Sequence, residues 1–300
     1  MRSSFALCVA LAFLLGTMSP AAALPASEVN NGMLFGGQWT PANATAVETS
    51  NFSDLKAVTE VYTATWCDNC VDVEHALEDV KAEGHLIQYH FHSTLSDPFG
   101  VAELEQRWRD KYEPNSPPGV VFNGTMKKVG SVADDGTLQN EFTNLARQDL
   151  GLGQGTTSFS WTPGVCEDVF ACGTMTWDLD IDEEHLDNAS LTVYAYIVET
   201  AADYEEGTNG LGTYPHIVRD MIDVGNTSQG SMMVSLPTPH DGDDLEVHLL
   251  YEIMPNPPEV MEEEPEPAEP SEDTPALSVV STMMVVGLAL AFTQRIRRGR

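Results

Sequence analysis

Two cysteines three positions apart, Cys67 and Cys70, follow a tryptophan in the run Trp66-Cys67-Asp68-Asn69-Cys70. Thiols at that spacing can close a small disulfide, and the pair exchanges with other disulfides when one thiolate is stabilised. The flanking residues supply that stabilisation. Val58 to Thr63 are mostly β-branched or aromatic and read as a strand. After the motif, Cys70, Val73, Leu77 and Val80 recur at helical spacing, Ala76 widens the stripe, and Gly84 stops it. Cys67 therefore falls at a helix N-terminus, where unpaired N–H groups and the helix dipole favour a thiolate. Cys70 lies one turn in, on the apolar face. Asp68, beside the nucleophile, opposes the dipole.

Other chemistry-bearing residues read as structural. Cys166 and Cys172 precede a strand with no helix to activate them, which points to a structural disulfide closing a small loop. His90 and His92 alternate onto one strand face, but two histidines are a weak metal signal, and no metal or cofactor is expected. His75 falls on the polar side of the helix. Asp178, Asp180 and Asp182 alternate with Leu179 and Ile181, so they read as the solvated face of a strand rather than a Ca²⁺ loop. The glycines of Gly207 to Gly212 lack the Lys-Ser/Thr of a phosphate loop.

The elements around the cysteine pair follow in the order β-α-β-α-β-β-α. Leu86 to Phe91 is the second strand, and Asp97-Pro98 reads as the N-cap and first position of a helix striped by Val101, Leu104, Trp108 and Tyr112. Gly119 to Phe122, the turn Asn123-Gly124 and Met126 to Val129 form a hairpin. Leu138, Phe142 and Leu145 mark a closing helix expected to end at Gly151. Over residues 52–151 the chain resembles the thioredoxin superfamily, through Trp66-Cys67-x-x-Cys70 and through Pro118-Gly119-Val120-Val121-Phe122-Asn123-Gly124. The resemblance implies that Pro118 is a cis-proline packed against the redox pair, with Trp66 and Pro117 bordering the substrate. The chain departs from that family at two further places. Val61 stands where thioredoxin has a buried carboxylate, which leaves water or another group, such as Glu60, to move the Cys70 proton. Pro117 has no N–H to offer a substrate strand.

Beyond Gly151-Leu-Gly-Gln-Gly155 the pattern changes to strands at Thr174–Ile181, Leu191–Val198, His216–Val224, Ser231–Leu236 and Leu245–Ile253, without convincing helices. The expected fold is thus an α/β thioredoxin-like domain (52–151), a linker (152–157) and an all-β, Ig-like sandwich (158–255). The ends carry targeting patterns. Residues 1–23 read as a signal peptide, with Arg2, an apolar run containing Cys8, and small residues before 24; residues 24–51 read as an N-terminal extension. Residues 256–275 hold six prolines and eight acids and read as an extended tether. The uncharged run 276–293 is expected to be one transmembrane helix, with the arginine-rich tail 294–300 in the cytoplasm.

The chain has 14 Lys+Arg against 46 Asp+Glu, a formal charge of −32, which excludes nucleic acid as a partner. The expectation is a single-pass, membrane-anchored thiol–disulfide oxidoreductase whose folded part faces the extracytoplasmic side. Its partners would be protein thiols and disulfides, with a separate redox donor or acceptor. Two alternatives stand beside it: a non-enzymatic cell-surface binding protein and, further off, a metal-delivery protein.

Overall fold

The alternating and β-branched runs become strands, and the 3.6-spaced stripes become helices, throughout the part of the chain that a computed structural model describes: residues 23–113, 116–167 and 169–257. In chain order these are β1 (Ser27–Glu28), β2 (Met33–Pro41), β3 (Ala46–Asn51), β4 (Ala57–Thr63), α1 (Asp68–Ala82), β5 (Leu86–His92), α2 (Ala102–Tyr112), β6 (Gly119–Phe122), β7 (Met126–Val129) and α3 (Leu138–Ala146). Then follow β8 (Thr156–Pro163), β9 (Ala171–Asp180), β10 (Ala189–Asp203), β11 (Thr213–Gly225), β12 (Gln229–Leu236) and β13 (Leu245–Pro255).

These strands do not divide into two successive domains. Nine of them form one sheet in the order β1-β7-β6-β4-β5-β11-β10-β13-β2, and four form a second, β12-β9-β8-β3. The expected architecture, an α/β thioredoxin-like domain followed by a separate Ig-like sandwich, is therefore corrected. Among the described residues strand predominates over helix, and the chain as far as Asn256 clusters as one compact unit. The physical reason lies at β5. In a free-standing α/β domain its outer edge would expose unpaired N–H and C=O groups. Here β11 lies parallel beside it, with Ile217 opposite His90, and the sheet continues into β10, β13 and β2. Among the described residues no helix is long and apolar enough to cross a membrane. The expected spanning segment 276–293, the signal peptide up to residue 22, the basic tail and nearly all of the tether lie outside the described residues.

Two connecting segments also differ from expectation. Residues 24–51 are not an appendage, because β1 pairs with β7, β2 with β13 and β3 with β8. The glycine-rich joint is not free either. Leu152 is buried in the core between the sheets, and the Gly155 carbonyl accepts a hydrogen bond from Phe52 N at 3.1 Å. A Cβ at Gly155 would stand 2.2 Å from the Phe52 ring, so a close approach, not flexibility, explains that glycine. The closing helix stops at Ala146, short of Gly151.

Strand alternation assigns each face of the long sheet a different partner. From β4, Ala57 and Val61 pack against α1 and α3 through Val73, Leu77, Val80, Phe142 and Leu145. Val58 and Tyr62 face the other way, toward Leu104, Trp108 and Tyr112 of α2 and toward Tyr196, Val198 and Leu250. At the far end, inward residues of β10, β13 and β2 meet Phe159, Trp161, Met175 and Trp177 of the four-stranded sheet. Alternation also confirms the acidic face of β9: Asp178 and Asp180 are exposed, while Trp177 and Leu179 are buried.

One charge is embedded in the α2 face. Glu60 of β4 is fully buried; Arg107 Nη1 donates to it at 2.7 Å, Tyr196 Oη at 2.8 Å, and Tyr112 Oη also donates. Burial pushes its carboxyl up, but Arg107 and Lys111 together with the Tyr112 and Tyr196 hydrogen bonds hold it below its ordinary value. Removing one partner strands the other. Arg107→Leu should therefore cost about 3–5 kcal/mol in urea unfolding at pH 7. The cost should shrink as falling pH lets Glu60 take a proton, and an Arg107→Leu/Glu60→Gln double variant should recover much of the loss.

Candidate redox site

Cys67 is the N-cap residue of α1, with extended backbone (φ −92°, ψ 96°) and no side-chain capping bond. A β4 strand that ends at Thr63 and a helix that begins at Asp68 leave only a short turn between them, Ala64 to Cys67. Within it Cys67 N donates to Ala64 O at 3.0 Å, and Cys70 N donates to Cys67 O at 3.1 Å. Cys67 and Cys70 are joined in a disulfide with their Cα atoms 5.4 Å apart. Both cysteines are buried; Cys67, at the helix tip, is 6 % exposed and Cys70 is 0 % exposed.

Ala64, Cys67, Cys70 and the half-buried Trp66 pack together. Trp66 Nε1 donates to Leu95 O at 2.6 Å, beside a Leu95 side chain that is 68 % exposed. The Pro117–Pro118 peptide bond is cis. Pro118 is buried and Pro117 half-buried. Gly119, the next residue, pairs with Tyr62 of β4, which places Pro118 at the same end of the sheet as the cysteines. The structure thus brings Trp66, Cys67 and Cys70 together and sets Pro117 and Pro118 at their end of the sheet.

The second pair is elsewhere. Cys166 and Cys172 form a disulfide that closes the loop between β8 and β9, where Gly164 N donates to Cys172 O at 2.8 Å. Cys172 is buried within the four-stranded sheet, opposite Ser235 of β12.

The groups around Cys70 depart from expectation. Glu60 does not serve it, because the register turns Glu60 toward α2, away from the helix that carries the cysteines. A different acid does share that helix. Glu74 lies one turn after Cys70, only 4 % exposed, and accepts from Thr63 Oγ1 at 2.5 Å. Burial raises its pKa, with the Thr63 hydroxyl opposing. Positions four apart on a helix are neighbours, so Glu74 is a buried acid one turn from Cys70. Its signal in the sequence was an acid inside the apolar stripe of Cys70, Val73 and Leu77.

Asp97 is not an N-cap either; α2 starts five residues later, at Ala102. Its carboxylate instead gathers Thr65 N at 2.7 Å, Phe99 N at 3.0 Å and His92 Nδ1 at 3.0 Å. Burial pushes this carboxyl up, yet the His92 contact and the backbone donors hold it below its usual value. His90 is buried beside Gln88 and His216, and burial pushes its imidazole well below the ordinary range, so it stays neutral. His75 is exposed. Among the described residues no set of His, Cys, Asp and Glu side chains gathers to hold a metal ion.

No protein-family model matches this chain, and no curated protein matches it. Among solved structures it is similar to HBP35 of Porphyromonas gingivalis, at TM-score 0.50 and 16 % identity, over 74 % of this chain and 80 % of that one. Protein AGR_C_4864 from Agrobacterium tumefaciens aligns at TM-score 0.40 and 16 % identity, over 73 % of this chain and 97 % of that one. At that identity the likeness to HBP35 is one of fold alone.

The raised Glu74 pKa has a thermodynamic consequence. A carboxyl whose folded-state pKa lies above its unfolded value binds its proton more tightly in the native state. Its contribution is fully present below the ordinary value of 4.5 and is lost as pH rises through the folded-state pKa. Glu74→Gln, which keeps an acceptor for Thr63, should therefore be more stable than the wild type at pH 7, with the difference vanishing toward pH 4. Urea midpoints across that range check the sign; a variant less stable at pH 7 would mean that Glu74 is held as a stabilised anion.

Proposed function

We propose that the chain is an extracytoplasmic thiol–disulfide oxidoreductase that acts on protein disulfides through Cys67 and Cys70. The observation that carries this is the asymmetry of the pair: Cys67 caps the tip of α1 and keeps a slight exposure, whereas Cys70 lies one turn in and has none. The resemblance of the Trp66-Cys67-x-x-Cys70 and Pro118 segments to the thioredoxin superfamily supports it. Two disulfides in one chain support an oxidising compartment.

In the reducing direction the Cys67 thiolate attacks one sulfur of a client disulfide, and the other client sulfur leaves as a thiolate and takes a proton. Cys70 then loses its proton and attacks the Cys67 sulfur of the mixed disulfide. The second client thiolate departs, a Cys67–Cys70 bond replaces the client bond, and two electrons have moved to the client. A separate dithiol donor on the same side of the membrane returns them. Helix N–H groups favour the Cys67 thiolate, while exposed Asp68 and the acidic surface oppose it, so the couple is assigned to the reducing side.

Reduction of insulin by the protein with dithiothreitol as donor tests this. Cys67→Ser should fall to the uncatalysed rate, and brief alkylation of the reduced protein should label Cys67 before Cys70. The Cys166→Ser/Cys172→Ser variant should lose about 2 kcal/mol of stability, as expected for a short closed loop, yet retain its exchange rate. A wild-type rate no higher than the uncatalysed one would leave a binding protein stapled by Cys67–Cys70 as the better account.

A further inference from the structure

The loop joining β10 to β11, Tyr204 to Gly212, comes from the β-rich half but rests against the turn that presents Cys67. The meeting point is Thr65, which is 2 % exposed. Its carbonyl accepts from Thr208 N at 2.9 Å and from Asn209 N at 3.2 Å. One residue back, Ala64 O accepts from Asn209 Nδ2 at 3.4 Å and from Cys67 N at 3.0 Å. On the opposite side Thr65 N is tied to Asp97 at 2.7 Å. The peptide that leads into Cys67 is thus gripped from two directions.

The gripping loop is itself braced. Asn209 Oδ1 accepts from Tyr214 Oη at 2.7 Å and from Leu211 N at 3.1 Å. Tyr214 packs with Phe99, Ala202 and Ile217, so the brace is anchored in a core to which the segment before α2 and the β10–β11 hairpin both contribute. Gly207 permits the approach: a Cβ there would stand 1.9 Å from Tyr214 Oη and 3.3 Å from Thr65 O.

We infer that Asn209, held by Tyr214 over Gly207, is a positioning residue of the redox site, through which the β-rich half sets the geometry of the Cys67 turn. This rests on the proposed redox role of Cys67 and Cys70. The physical link is local. The carbonyls of Ala64 and Thr65 are negative dipole ends in the turn that leads into Cys67, and the loop's donors draw on those oxygens. Without the donors the carbonyls are freer to oppose the thiolate, and the turn can shift away from the helix axis.

The test compares the full-length wild type with Asn209→Ala and Gly207→Ala, using Asn226→Ala in the exposed β11–β12 turn as control. Because the thiolate is the reactive form, the rate of Cys67 alkylation by iodoacetamide at pH 7 should fall about threefold or more in both loop variants. The glutathione equilibrium of the pair should move toward the disulfide, and the control should match the wild type. A second measurement needs no variant: amide hydrogen exchange at Thr208 and Asn209 should differ between the oxidised and reduced wild type. Unchanged alkylation and glutathione equilibrium in folded loop variants would overturn the inference. So would identical exchange in the two redox states, should both variants fail to fold. A wild type that reduces no insulin would instead overturn the redox role of the pair, while the alkylation comparison would still decide whether Asn209 controls Cys67.

Discussion

A carboxylate with no access to water dictates much of this architecture. Glu60 sits in the middle of β4, and an isolated buried charge costs several kcal/mol. Its partners come from α2, which supplies Arg107 and Tyr112, and from β10, which supplies Tyr196. A second ion pair, Lys111 with Glu252 of β13, continues the same seam, and Tyr194 Oη donates to Glu252 at 3.1 Å. To satisfy Glu60, α2 must lie across strands that are more than 100 residues apart in the chain, as the 136-residue separation of Tyr196 from Glu60 shows. That is feasible only if β11 pairs with β5 and the sheet runs on. The β10–β11 hairpin is then carried to the end of the sheet where Cys67 stands.

The two-residue period of β4 keeps this structural charge apart from the cysteine pair. Glu60 and Tyr62 face α2, while Val61 and Thr63 face α1. The two buried acids therefore answer to opposite surroundings. Glu60, beside a guanidinium, is held ionised; Glu74, with a hydroxyl as its hydrogen-bond donor, is pushed toward its neutral form by burial. One face fixes the fold, and the other carries a carboxyl with a raised pKa one helical turn from Cys70.

What could be read in the sequence was what neighbours along the chain decide. The strand before Trp66, the helix tip at Cys67, the buried side of Cys70 and the later strands all follow from period and capping, and the described elements match them to within a few residues. The failures share one cause: each depends on a partner distant in sequence. Leu152 in a glycine-rich run looked like a linker residue because Phe159 and Trp161, which share its core, belong to a sheet not yet assembled. Asp97 before a proline fits an N-cap, and only the folded chain brings Thr65 N to it. Residues 24–51 had no visible partner until β7, β8 and β13 were in place.

The same reasoning changes the meaning of the net charge. Between residues 24 and 275 the chain has nine cations: Lys56, Lys81, Arg107, Arg109, Lys111, Lys127, Lys128, Arg147 and Arg219. Six of these are in ion pairs: Lys81, Arg107, Arg109, Lys111, Lys128 and Arg219. Lys127 is buried and donates to Tyr112 O. The scarce positive charge thus goes largely into holding buried acids, and the exposed acids are left with few counter-charges. On the proposed redox role, a Cys67 thiolate would draw its support from the polarity of the α1 N-terminus, because Asp68 and Asp72 on the same helix are exposed acids. Solvent salt, which screens exposed charges over about 8–10 Å, weakens the repulsion from those acids more than it weakens the helix end in direct contact with the sulfur. On the proposed redox role, the Cys67–Cys70 couple would therefore respond to ionic strength through the same charge distribution that stabilises the sheet.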